Sequence, residues 1–153
     1  MKKQFVHSED CDDIEMGVRR EINGSRVYVT PEGNTYPSIT SILGRQPKPG
    51  IEAWKEKVGY QEASRIMKES SALGTMVHGL CEDYLYNEDL QCEDKEAISV
   101  FNRLRFLLGN IDNIQCIEAP LHSDILKVAG TADCIAEYNG VLSVIDFKTS
   151  RKA

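Results

Sequence analysis

No apolar run in this sequence approaches the roughly 20 residues that a membrane-spanning helix requires. The start, MKKQFVHSEDCDD, carries two lysines but no apolar stretch after them, so it does not read as a secretory signal. Cysteine is scarce and odd in number: Cys11, Cys81, Cys92, Cys116 and Cys134, with no CxxC pair. That argues against a disulfide framework, a zinc ribbon and an iron–sulfur cluster, and it fits plain thiols in a reducing cytosol. Positive charge is in deficit, with 18 basic residues against 24 acidic ones and a net charge of −6. This is the wrong sign for a protein that coats nucleic acid by releasing counterions. Internal repeats and low-complexity tracts are absent as well.

The chain of 153 residues suits one domain, able to bury roughly 68–70% of its unfolded surface. Residues 1–16 are polar and acidic, expected as a flexible arm, and 17–153 as a single domain. REINGSRVYVT places two β-prone runs around Asn23-Gly24, a strong hairpin signal. Ser38 is positioned to cap a short helix, ITSILG, that Gly44 ends. Apolar spacing predicts a helix from Ile51 to about Ser70, with a break at Gly59. A second is expected over Ala72–Tyr86 and a third over Lys95–Leu108. Three β-rich runs follow: Gln115–His122, Lys127–Tyr138 and Val141–Phe147, separated by Ser123-Asp124 and Asn139-Gly140. The plan is α/β or α+β: helices first, then a three-stranded, mainly antiparallel meander.

A two-residue loop at Asn139-Gly140 pairs Tyr138 with Val141 and, counting outward, Asp133 with Asp146. Facing side chains share one side of a sheet, with Cβ atoms about 4.5–5.5 Å apart. Lys148, two residues beyond Asp146, points the same way. Both faces of the pair are mainly apolar, Ile135, Leu142 and Val144 on one and Ala136, Ile145 and Phe147 on the other. The pair is therefore expected to be covered on both sides. Opposed carboxylates in such a setting repel, and a divalent cation offsets the repulsion directly. Oxygen ligands suit Mg²⁺ or Mn²⁺ better than Zn²⁺. The plainer alternative has Asp133 capping a turn and Asp146 paired with Lys148 in solvent.

YPSITSIL (36–43), the AW pair at 53–54, GTMVH (74–78) followed by Glu82, AGTAD (129–133) and VIDFKTS (144–150) occur in one order. In that order the sequence resembles the RecB-like exonuclease branch of the PD-(D/E)XK nucleases. The resemblance implies a restriction-endonuclease-like core and cleavage of DNA, single-stranded or at its ends, with Mg²⁺ or Mn²⁺. The acidic total then conflicts less, because carboxylates hold cations and a basic groove can be local. By position, Asp133 and Asp146 resemble the metal-binding carboxylates, the Phe147 backbone carbonyl a further ligand, and His78 the helix-borne histidine on the same cation. Lys148 resembles the catalytic lysine that orients water, and Thr149 and Ser150 a polar pair that contacts the DNA backbone. A bacterial or phage-infected cytoplasm is the setting the resemblance implies.

Glu82 shares the helical face of His78 and is either a supporting group or a solvated edge. Glu118 would face Thr131 if the preceding turn centres on 124 and 125, and would then join the acidic face. Trp54 and Tyr36-Pro37 read as core packing more readily than as base-stacking platforms. Two departures stand out. Leu73 occupies a position often held by arginine, and the Gln-x-x-x-Tyr helix expected after the lysine is not supplied, so the domain is expected to be C-terminally incomplete. An exposed sheet surface would then favour a homodimer or completion by another chain. Two readings follow: a metal-dependent DNA exonuclease, or a non-catalytic binding or assembly fragment that needs a missing part.

Overall fold

The computed structural model describes residues 3–8 and 17–149. Residues 9–16 of the acidic start, and Ser150, lie outside the described residues. The chain divides into two units: one comprises Met1–Phe5, Pro47–Ile111 and Phe147–Ala153, the other Val6–Gln46 and Asp112–Asp146. The architecture is α+β, with four helices and two three-stranded antiparallel sheets among the described residues. No helix among them is long and apolar enough to cross a membrane.

In the second unit, β1 (Val18–Ile22) and β2 (Ser25–Val29) form the hairpin that Asn23-Gly24 predicts, and both turn residues have positive φ, +50° and +72°. Such values favour asparagine and glycine and match the right-handed strand twist. The sequence reading contained no third strand here. β3 (Thr35–Pro37) pairs with β2 and sets Tyr36 opposite Tyr28. Both tyrosines are buried in a cluster with Ala129, and the Tyr28 hydroxyl lies 2.9 Å from Thr131 Oγ1. The Tyr36 hydroxyl donates to Asp124, and the Lys127 ammonium lies 5.4 Å from the Tyr36 ring centre. Tyr36 is thus core, as its β-prone context suggests. Ser38, at the start of α1 (Ile39–Gly44), makes a parallel bridge with Ala129. Its expected side-chain cap is not formed: its hydroxyl pairs with Thr40 Oγ1 at 2.7 Å, while its backbone carbonyl takes the amides of Ser41 and Ile42.

The second sheet has the order β4 (Ile111–Ser123), β5 (Val128–Tyr138), β6 (Val141–Ile145). Asn139 and Gly140, at φ +51° and +76°, set the expected register, from Tyr138↔Val141 to Cys134↔Ile145. Three expectations need correction here. The ladder ends one step before Asp133 and Asp146, so Asp146 lies just past β6, and Phe147 is not part of a strand. The pair is not covered on both faces, since Leu142 and Val144 remain 66% and 70% exposed. β6 is the sheet's edge strand, and among the described residues the face that carries those two side chains is left open.

In the first unit, α2 (Pro49–Val58) begins with the proline its first turn tolerates, and the chain bends at Gly59, φ +91°. α3 (Tyr60–Leu85) then runs unbroken through 70–72, where the sequence suggested two helices. Leu73, Val77, Leu80, Cys81 and Tyr84 recur at helical spacing and are all buried. The modest helix penalty of Ser70 and Ser71, below about 1 kcal/mol each, does not overcome that stripe. α4 (Lys95–Leu108) is capped by the Asp94 carboxylate, which accepts from the Ala97 amide at 2.8 Å. Phe101 of α4 meets Tyr84 edge-on at 5.6 Å, and Phe5 meets Tyr84 likewise at 5.1 Å.

Residues 3–8, expected within a loose arm, are held in place. The Asn87 side-chain amide accepts from the Phe5 amide and donates to its carbonyl, at 2.8 and 3.0 Å. Lys3 donates to the carbonyls of Gly109 and Ile111 just past α4. Phe106 and Leu107, near the end of α4, are exposed, Phe106 at 84%. Phe101→Ala is therefore expected to lower the unfolding free energy by about 3–5 kcal/mol. Phe106→Ala should change it by less than about 0.5 kcal/mol, with urea unfolding as the check for both.

Candidate metal centre

Two motifs far apart in the sequence meet within the first unit. Gly74, His78 and Glu82 follow one another at four-residue intervals on α3, one partly buried stripe. Residues 147–149 run along it. The carbonyl of Phe147 lies 2.6 Å from His78 Nε2, and the two rings meet edge-on at 5.7 Å. A Cβ at Gly74 would sit 3.3 Å from Thr149 Oγ1, tighter than ordinary contact, so a glycine there lets the segment approach. Phe147 is buried, Thr149 partly so, and Lys148 between them is exposed, as alternation along an extended segment requires.

A carbonyl only accepts, so His78 Nε2 carries the proton in this hydrogen bond. Neighbouring ligand atoms on an octahedral cation at 2.0–2.1 Å are about 3 Å apart. The 2.6 Å separation is near that value. The two atoms could serve one cation once the proton moves to Nδ1, with the contact lengthening by a few tenths of an ångström. In chemical terms this donor pair fits the group.

The second unit supplies the carboxylates. Glu118 and Asp133 bring carboxylate oxygens within 4.8 Å of each other. The register expected for Glu118, opposite Thr131, assumed a two-residue turn. The turn between β4 and β5 instead takes four residues, 124–127, which leaves Glu118 and Asp133 equally far from it. Glu118 adopts positive φ, +52°, a local irregularity that redirects a side chain on a long strand. Asp133 is partly buried on β5, and Asp146 is exposed beyond β6. Burial and the neighbouring Asp133 charge push the Cys134 thiol up to about 11, so this cysteine is a packed, neutral group rather than a nucleophile. The chain passes from one unit to the other between Asp146 and Phe147.

Leu73 is buried in the α3 stripe, so the departure from arginine there is filled by packing. Among the described residues, Cys81, Cys92, Cys116 and Cys134 form no disulfide. Arg19, Arg20 and Arg26 flank the Asn23-Gly24 turn on the β1–β2 hairpin.

No protein-family profile matches the chain. It is similar to the mitochondrial genome maintenance exonuclease 1 of Mus musculus, 28% identical over 142 residues, which cover 86% of this chain and 42% of that protein. The protein of the same name from Xenopus tropicalis is 30% identical over 129 residues, 77% of this chain and 37% of its own length. The Homo sapiens protein is 27% identical over 130 residues, with shares of 78% and 38%. The chain thus spans about two fifths of the length of the curated relatives it matches.

A cation held between Glu118 and Asp133 would bind the folded state alone, because only the fold brings the two together. Mn²⁺ at about a hundredfold excess over its Kd should therefore add about 2.7 kcal/mol to the unfolding free energy. Asp133→Asn should remove most of that gain and Glu118→Gln part of it, read as the shift in melting temperature. An undiminished gain in both variants would place the ion elsewhere.

Proposed function

We propose that this chain carries the catalytic core of a metal-dependent DNA exonuclease, acting on single-stranded ends. The observation that carries the proposal is the meeting of the GTMVH and DFKTS segments, Gly74 against Thr149 and His78 against the Phe147 carbonyl. The similarity to proteins named as genome maintenance exonucleases supports the same reading. We assign Asp133, Asp146, His78 and the Phe147 carbonyl as ligands of Mg²⁺ or Mn²⁺, with Glu118 and Glu82 as supporting carboxylates. A cation so held supplies Lewis-acid polarisation of a phosphoryl group and acidifies water.

The remaining roles belong to side chains. Lys148 is exposed and one residue from the carbonyl ligand, so its ammonium can orient the attacking water and stabilise negative charge developing on the phosphoryl oxygens. Thr149 and Ser150 donate hydroxyl hydrogen bonds to the DNA backbone. The overall step is hydrolysis: a water oxygen bonds to phosphorus, the bond from phosphorus to the leaving sugar oxygen breaks, and that oxygen takes up a proton.

A second reading, a non-catalytic assembly piece, is favoured by one observation. The edge strand β6 presents Leu142 and Val144 to solvent, where a second copy or another chain could add a strand. One experiment separates the two. End-labelled single- and double-stranded DNA is incubated with the protein and Mg²⁺ or Mn²⁺, beside Asp146→Asn and Lys148→Ala. The exonuclease reading expects stepwise shortening from the ends, reduced about 10²–10³-fold or more by either change. Mn²⁺ binding should survive Lys148→Ala and fail in Asp146→Asn. Cleavage indifferent to both substitutions would overturn the assignment, and Mn²⁺ binding without any cleavage would favour the assembly reading.

A further inference from the structure

The β1–β2 hairpin and the start of α1 enclose a cavity of about 510 Å³, within the roughly 300–1,000 Å³ of ordinary ligand clefts. Arg19, Arg20 and Arg26 line it together with Glu21, Thr40 and Ser41. The register explains why Arg19 and Arg26 converge, while Arg20, opposite Val27, lines the cavity from the other face of the hairpin. Arg26 faces Glu21 across the hairpin and Arg19 faces Tyr28, so Arg19, Glu21 and Arg26 lie on one side. The backbone joins the helix to that side, since the Ser38 amide donates to the Arg26 carbonyl at 3.1 Å. Among the described residues, none of the three guanidinium groups makes a hydrogen bond or an ion pair. Surface arginines are ordinary, but three unengaged ones around a single cavity, in a chain of net charge −6, mark a place built for an anion.

The hydroxyls fit that purpose. Ser38 is buried, and its hydroxyl can donate to Thr40 Oγ1, which leaves the Thr40 proton for an outside acceptor. Residues two apart on a strand are about 7 Å apart along it, so the cations are spread out rather than focused on one point. Spread cations suit a chain of phosphates better than one compact anion. We propose that Arg19, Arg20 and Arg26, with Thr40 and Ser41, bind the phosphodiester backbone of a DNA single strand. The choice of DNA rests on the exonuclease reading, whereas the anion site itself rests on the hairpin.

The test is fluorescence anisotropy of a fluorescein-labelled oligothymidine of about 20 nucleotides, in EDTA so that no cleavage occurs, across a series of NaCl concentrations. The triple variant R19A/R20A/R26A should bind at least about tenfold more weakly. Its slope of log affinity against log salt should be flatter by about 2, from roughly 0.7 per phosphate contact on single strands. The lysine triple R19K/R20K/R26K should hold most of the slope, because charge is what the contacts supply. Arg103→Ala on α4 serves as a charge control and should leave the slope unchanged. A triple alanine variant with wild-type affinity and slope overturns the inference, as does a wild-type protein that does not bind the probe. If the wild type cleaves DNA while the alanine slope is unchanged, this site falls and the exonuclease reading stands. The converse, a flattened slope in a protein that never cleaves, keeps the phosphate site and removes the exonuclease.

Discussion

Asn139 and Gly140, both at positive φ, determine where every side chain on the β5–β6 hairpin points. Strand side chains alternate with a period of two, so a slip of one residue would exchange the faces completely. A buried face usually guards against such slips, but β6 has little of one, with Leu142 and Val144 mostly in solvent. The turn must carry the specification instead. Its left-handed residues close a two-residue loop whose twist matches the strands, and they fix the pairing from Tyr138↔Val141 to Cys134↔Ile145. Asp133 owes its place to that register, and the strand's end sets where Asp146 leaves the sheet.

The second constraint is the continuity of α3. Gly74 and His78 would share a helix even with a break before Ala72; continuity ties that stretch to the first half of α3, where Ala63 is buried. Within this helix of 26 residues, Gly74 and His78 lie on a single stripe, one turn apart. Residues 147–149 can then touch both, Thr149 against the bare Cα of Gly74 and the Phe147 carbonyl against His78. Burial of the Phe147 ring anchors the segment, so the exposed Lys148 is held at a fixed distance from α3 rather than on a loose tail. Packing of an apolar ring thus positions a cationic side chain whose chemistry is entirely polar.

What was legible in the sequence is what local chemistry dictates. Both Asn-Gly hairpins, the bend at Gly59 and the bounds of α4 follow from residues within a few positions of each other. The register of β5 with β6 followed too, because a two-residue turn leaves no freedom. The misses are decided by distant partners. Ser38 was expected to cap α1 through its side chain, but burial beside Ala129 directs its hydroxyl to Thr40. The pattern of β6 reads as a covered strand, yet its exposure depends on whether another element packs on that face of the sheet, which alternation does not encode. Glu118 does join Asp133, but across a four-residue turn between β4 and β5 where a two-residue turn was expected. Residues 3–8 are polar in composition, yet a single aromatic, Phe5, and the paired amide of Asn87 tie them down.

The candidate site is legible in kind rather than in detail. Carboxylates flanking an Asn-Gly hairpin, followed by a lysine two residues on, suggest a cation and a developing anion on chemical grounds alone. The partner of the carbonyl, His78, could not be found that way, since 69 residues separate them and only the fold joins them. Net charge is an equally poor guide. A total of −6 argues against binding a polyanion, but charges act through their local field, which salt screens beyond about 10 Å. Carboxylates gathered at Glu118 and Asp133 invite a cation, and arginines gathered on the β1–β2 hairpin invite phosphate. Both demands can be met in one acidic chain because the two signs sit on different elements. The sum over the sequence then records only how many carboxylates lie elsewhere on the surface.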